Sequence, residues 1–80
     1  MYLEIITPEK KVFTGEVRLI QVPGTKGSFE ILHNHAPIIS TLQEGTIRYI
    51  TNEGQEKTVE LNGGVIEAKN NHITILGEFT

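Results

Sequence analysis

Apolar and polar residues alternate along this chain in short runs, and no apolar residue series keeps a 3.6-residue period long enough for a helix of three turns. Alternation broken by turns is the signature of antiparallel sheet. Tyr2-Leu3-Glu4-Ile5-Ile6 reads as a first strand, stopped at Thr7-Pro8 because proline offers no amide hydrogen to a ladder. Glu9-Lys10 reads as the turn that follows. Lys11 to Thr14, Gly15 and then Glu16 to Val22 carry apolar residues on both parities, which predicts a bulge or bend at Gly15 through which one long strand serves two sheets. Pro23-Gly24 ends it.

The stretch from Val22 to Leu42 is the least generic part of the chain. It holds Pro23, Gly24 and Gly27, the apolar residues Phe29, Ile31 and Leu32, and a second proline break at Ala36-Pro37. Beyond it, Gly45 opens a strand from Thr46 to Thr51, and Asn52-Glu53-Gly54-Gln55 closes a hairpin onto Glu56 to Leu61. Asn62-Gly63-Gly64 is the strongest local turn signal, since Asn and Gly tolerate positive φ, and it predicts a break before a strand at Val65 to Ala68. The Lys69-Asn70-Asn71 turn leads to a last strand, His72 to Leu76. Short strands with a turn roughly every eight to twelve residues predict an all-β fold, a compact sandwich or barrel.

Eighty residues make one domain, residues 1–80, and a chain this short buries about 60% of its unfolded surface. No cysteine is present to staple or ligate. Seven basic against ten acidic residues give a net charge of −3 with the signs scattered, which argues against nucleic acid as a partner because phosphate binding needs a basic stripe. The apolar runs fall far short of the roughly 20 residues that cross a bilayer as a helix, so the expectation is no direct membrane insertion.

Candidate chemistry is sparse. The loop from Pro23 to Ser28 has the ingredients of a phosphate cradle, but Lys26-Gly27-Ser28 runs into a strand and not into a helix. His33 and His35, two apart on an extended backbone, would point to one side and share a metal, with His72 as a third ligand. That pattern defines an alternative reading, a small β-barrel metal- or ligand-binding module using His33 and His35. Ser28 and Ser40 lie in no nucleophile pattern, and the carboxylates fall in turns or at outward parities. No catalytic residue, cofactor or resident metal is expected. Ala36, Pro37, Ile38, Ile39 and Leu42 remain as an apolar segment kept from full pairing by its proline, suited to a contact patch for another protein.

Residues along the whole chain carry a resemblance: Leu3 to Ile6 with Phe13-Thr14-Gly15, Ile20-Gln21-Val22 with Gly24 and Gly27, Phe29 and Ile31, His35-Ala36-Pro37, Leu42, Gly45, Ile47-Arg48, Gly63-Gly64-Val65-Ile66-Glu67, and Ile73 to Leu76. Together they resemble the epsilon subunit of bacterial and chloroplast F-type ATP synthases, which is similar to the mitochondrial delta subunit. The resemblance implies a flattened β-sandwich of two antiparallel sheets. It also implies a non-catalytic central-stalk rotor subunit that binds the gamma subunit and the c-ring, coupling proton (or sodium) translocation to ATP synthesis. The implied location is peripheral, on the cytoplasmic face of the bacterial inner membrane. Carried over by position, Thr7, His35, Ala36, Pro37, Ile38 and Ser40 lie toward gamma, and the loop with Lys26, Gly27, Ser28 and Glu30 faces the c-ring. Relatives often have an acidic residue where this chain has Ser28, which leaves Lys26 or Glu30 for an ionic ring contact. Members commonly continue into a helical hairpin that can brake hydrolysis and in some species bind ATP; with the chain ending at Thr80, the expectation is a coupling subunit without that brake and without an ATP site.

Overall fold

The computed structural model describes residues 1–79, which form seven strands: β1 (Tyr2–Ile6), β2 (Lys11–Gly24), β3 (Gly27–Leu32), β4 (Ile38–Leu42), β5 (Gly45–Thr51), β6 (Glu56–Lys69) and β7 (His72–Phe79). Two of them are long. β2 pairs with β1 through its first half and with β3 and β5 through its second, and β6 pairs with β5 through its first half and with β4 and β7 through its second. The result is a flattened β-sandwich, as expected: one layer is β3-β2-β5-β6 and the other is β4-β6-β7-β1-β2, with β2 and β6 passing from one to the other. One pair departs from the antiparallel expectation. β1 lies parallel to β7, Leu3 opposite Ile73 and Ile5 opposite Ile75.

A strand that turns a sandwich corner without an extra residue keeps one parity facing the core. Both long strands change parity instead, because each carries a bulge. In β2 the inward residue is Val17 before the shift and Ile20 and Val22 after it, and the register slips between Val17 and Leu19 with Arg18 as the extra residue. The bend is therefore there and not at Gly15, which pairs in register with Leu3. In β6 the inward residue is Leu61 before the slip and Ile66 and Ala68 after it, with Asn62 extra. The turn expected at Asn62-Gly63-Gly64 is thus a bulge within one continuous strand. None of these three residues has positive φ.

The glycines at this place serve a different need, close approach of backbone. A Cβ on Gly64 would press on the Leu76 carbonyl oxygen and come within 2.8 Å of Gly77 Cα. Gly64→Ala is expected to lower the unfolding free energy by about 1–3 kcal/mol in a urea titration. Gly63→Ala, whose Cβ would meet nothing nearer than Leu42 O at 3.8 Å, is expected to stay within about 0.5 kcal/mol of wild type.

Other turns follow the expected chemistry. Asn70 and Asn71 both take positive φ (53° and 62°), the two-residue hairpin geometry that joins β6 to β7. Thr51 closes the β5–β6 hairpin, its backbone N–H donating to Gln55 O at 2.9 Å and its hydroxyl accepting from Gln55 N at 3.1 Å. Between the layers lies one core, built from Leu3, Ile5, Ile66, Ile73 and Ile75 on one side and Ile20, Val22, Ile31, Ile47 and Leu61 on the other. Every one of these is an aliphatic residue of a strand, so the layers interdigitate, and among the described residues no buried side-chain nitrogen or oxygen lacks a partner.

Candidate interaction surfaces

The outer face of the layer β4-β6-β7-β1 is set by what the core leaves behind. With Ile66, Ile75 and Ile5 inward, their neighbours Val65, Leu76 and Ile6 turn outward, and the pairings put Thr41, Val65, Leu76 and Ile6 in one row across four strands. Leu76 is 49% exposed and Val65 42%; Ile39, one step along β4, is 73% exposed. Large apolar side chains this open, contiguous across strands, are unusual on a free surface. The next row, Ile39, Glu67, Thr74 and Glu4, is mixed, and a cleft of about 370 Å³ at the far end is lined by Pro8, Gly63, Gly64 and Leu76.

Parity decides which residues of β4 can be offered to a partner. Ile38 and Ser40 stand opposite Ala68 and Ile66 and turn inward, Ile38 packing against the core, whereas Ile39 and Thr41 face out. Ala36 and Pro37 are exposed and lead into β4 beside this face. Thr7 is at the opposite corner, after the end of β1. Its hydroxyl accepts from the amides of Glu9 and Lys10 at 3.2 and 3.0 Å and so shapes the turn into β2. The residues expected toward gamma therefore flank one face from two corners and are not a single cluster. Ile39, Val65 and Leu76 make up its apolar centre. Val65 escapes a sequence reading because its outward orientation depends on the β6 bulge, whereas Leu76 faces out by alternation with the buried Ile73 and Ile75 of β7.

The hairpin between β2 and β3 ends in Thr25-Lys26, with Gly27 at φ +124°, a value that L side chains rarely adopt. Ser28 is exposed beside the tip. Glu30 is one layer back, where Arg48 holds it: the guanidinium Nη2 lies 3.5 Å from Glu30 Oε2, Nη1 lies 3.5 Å from Glu56 Oε1, and Nε donates to Gln21 Oε1 at 3.1 Å. Lys26 takes part in none of the ion pairs among the described residues.

The histidines do not assemble. Asn34 takes φ +62°, so the chain from His33 to His35 is a turn and the extended geometry that would align the two rings is lost. His33 Nδ1 accepts from Asn71 Nδ2 at 3.1 Å, His35 Nδ1 lies 2.7 Å from the Ala36 carbonyl oxygen, and His72 Nε2 lies 2.7 Å from Glu4 Oε1. Among the described residues no three His, Asp or Glu groups converge on a metal position. Burial raises the Tyr49 phenol above its ordinary value, but Tyr49 belongs to the core and lines none of the clefts described here. The described residues include no helix long and apolar enough to cross a membrane.

Comparison with known proteins decides the family. The family described as "ATP synthase, Delta/Epsilon chain, beta-sandwich domain" matches residues 1–79. This chain belongs to that family. Among curated relatives, the ATP synthase epsilon chain of Pelotomaculum thermopropionicum is 43% identical over 74 residues, covering 92% of this chain and 54% of that one. The ATP synthase epsilon chain of Rhodopseudomonas palustris is 38% identical over 77 residues, covering 96% of this chain and 56% of that one. The chain thus spans little more than half the length of these delta/epsilon relatives. Two solved structures share the fold. One is a chain of the Euglena gracilis mitochondrial ATP synthase OSCP/F1/c-ring structure, with a TM-score of 0.88 at 17% identity over 94% of this chain and 48% of that one. The other is a chain of the Tetrahymena thermophila mitochondrial ATP synthase central stalk and c-ring structure, with a TM-score of 0.77 at 18% identity over 96% and 62%.

Proposed function

We propose that this delta/epsilon β-sandwich is a non-catalytic rotor element of the central stalk of an F-type ATP synthase. It binds the gamma subunit with the outer face of β4-β6-β7-β1 and meets the c-ring with the β2–β3 hairpin, so that ring rotation driven by protons (or sodium ions) and gamma rotation are locked together. The complex holds it peripherally at the cytoplasmic face of a bacterial inner membrane. Family membership supports the reading, and the observation that carries it is the outward row of Val65, Leu76 and Ile6 beside Ile39, an apolar surface suited to permanent contact with protein.

The mechanical role suits the architecture. Torque passes through a body that resists shear, and here β2 and β6 each run through both layers, so neither layer can slide on the other without breaking two continuous ladders. Thr7, His35, Ala36 and Pro37 border the gamma face, Ile38 and Ser40 support it from beneath, and Lys26, Gly27, Ser28 and Glu30 belong to the ring side. The test is co-purification of this domain with the gamma subunit of the same organism. A stable complex is expected, one that persists in high salt because the contact is apolar; a domain that passes through a gamma column unretained refutes the reading.

A further inference from the structure

Beside its apolar row, the outer face of β4-β6-β7-β1 carries a titratable pair. His72 Nε2 lies 2.7 Å from Glu4 Oε1 and bridges β7 to β1. Both side chains leave the layer outward because their neighbours Leu3, Ile5 and Ile73 turn into the core. The rings of Tyr2 and His72, residues opposite one another in the parallel pairing, meet edge to face with centroids 5.1 Å apart. In the free domain water reaches both members of the pair, the Glu4 side chain being 24% and the His72 side chain 49% exposed.

Register places the pair within reach of whatever covers the apolar residues. Glu4 ends the row that begins at Ile39 and passes through Glu67 and Thr74, and it stands two residues from Ile6 along β1. A partner seated across Ile39, Leu76 and Ile6 therefore reaches Glu4. The charged and titratable groups around the imidazole come from three directions. β1 supplies Glu4 and Tyr2, and β6 supplies Lys69, opposite His72, and Glu67, which lines with them a cleft of about 400 Å³. Ahead of β4, His35 borders a small cavity together with His72 and Lys69. With two carboxylates and one ammonium in the cleft, a neutral His72 leaves one net negative charge there, and a protonated His72 cancels it.

We propose that the His72–Glu4 pair makes the gamma contact proton-linked: covering this face drives a proton onto the pair, so the domain grips gamma more tightly as pH falls. The proposal rests on the reading of this face as the gamma contact and adds its regulation. A carboxylate beside a neutral imidazole is well solvated in water, but under a protein partner it becomes a buried charge without a counter-charge. A proton on the pair turns it into a hydrogen-bonded ion pair, in which each charge offsets part of the other's desolvation. Histidine changes charge near neutral pH, so the proton is available where the complex works. The added affinity is complete where His72 is already protonated in the free domain and is lost as rising pH strips the proton from the complex.

Calorimetric titration of the intact chain with gamma, in two buffers of different ionisation enthalpy, counts the protons taken up. Wild type is expected to take up close to one proton and to bind about tenfold more tightly at about pH 6 than at about pH 8. His72→Gln and Glu4→Gln are expected to lose that uptake and to flatten the pH profile, which separates the pair from titrating groups on gamma. His33→Gln, off this face, is expected to keep both. Thermal unfolding of each variant over the same pH range identifies any that fails to fold, and the other member of the pair then carries the test. Wild-type binding with a flat profile, or a full proton uptake retained in a folded His72→Gln or Glu4→Gln, overturns the proton linkage and leaves the rotor reading standing. Failure of wild type to bind gamma at any pH overturns the rotor reading, and the linkage with it.

Discussion

Ile75→Ala lowers the unfolding free energy by about 2–5 kcal/mol. An 80-residue domain has about 4–12 kcal/mol in total, so this single truncation takes a large part of the stability. Ile75 is fully buried, with Ile5 opposite it on the parallel side and Ile66 on the antiparallel side, both also fully buried. All three side chains hang from strands whose hydrogen-bond ladders hold them at fixed spacing, so the neighbours cannot move in to fill the space and most of the cavity remains. The measurement is chemical denaturation, in which the midpoint falls while the slope with denaturant stays constant. Leu76→Ala is the internal control. Leu76 is the next residue, 49% exposed on the opposite face, and its truncation is expected to cost less than about 1 kcal/mol. Equal losses at the two positions would mean that the assigned inner and outer faces of β7 are wrong.

The second large effect is on binding. Ile39→Glu combined with Leu76→Glu is expected to weaken gamma association at least thirtyfold, about 2 kcal/mol, and to leave the unfolding midpoint almost unchanged. In the free domain Ile39 is 73% and Leu76 49% exposed, so a carboxylate at either position can reach water, whereas a partner seated on the face would have to bury two carboxylates against apolar surface. Titration calorimetry with gamma, alongside thermal unfolding of the free domain, separates the two quantities. Ile38→Glu is expected to behave in the opposite way: its side chain packs against the core, so the charge unfolds the domain before any interface is tested. Unaltered gamma affinity in the Ile39→Glu, Leu76→Glu variant would remove this face from the stalk contact.

The contrast between Ile38 and Ile39 shows where sequence reasoning stops. The segment from Ala36 to Leu42 reads, from its proline break and apolar content, as a candidate contact patch. Which of its residues point outward depends on how β4 is registered against β6, with Ile38 opposite Ala68 and Ile39 opposite Glu67. The histidine pair fails in the same manner. Two residues' separation aligns side chains only on an extended backbone, and the positive φ of Asn34 removes that condition.

What the order of residues settles without a fold is local. Alternation defines the strands, the proline and glycine breaks define most of their ends, and Asn70-Asn71 defines a tight hairpin, because each of these follows from the sterics and hydrogen bonding of a few adjacent residues. Tertiary structure alone decides the rest. It places β1 parallel to β7 across nearly the whole length of the chain, and it turns Asn62-Gly63-Gly64 from a loop into a bulge, which directs Val65 outward and Ile66 inward. A strand has two faces related by a shift of one residue, and only the layer packed against it determines which face is hidden.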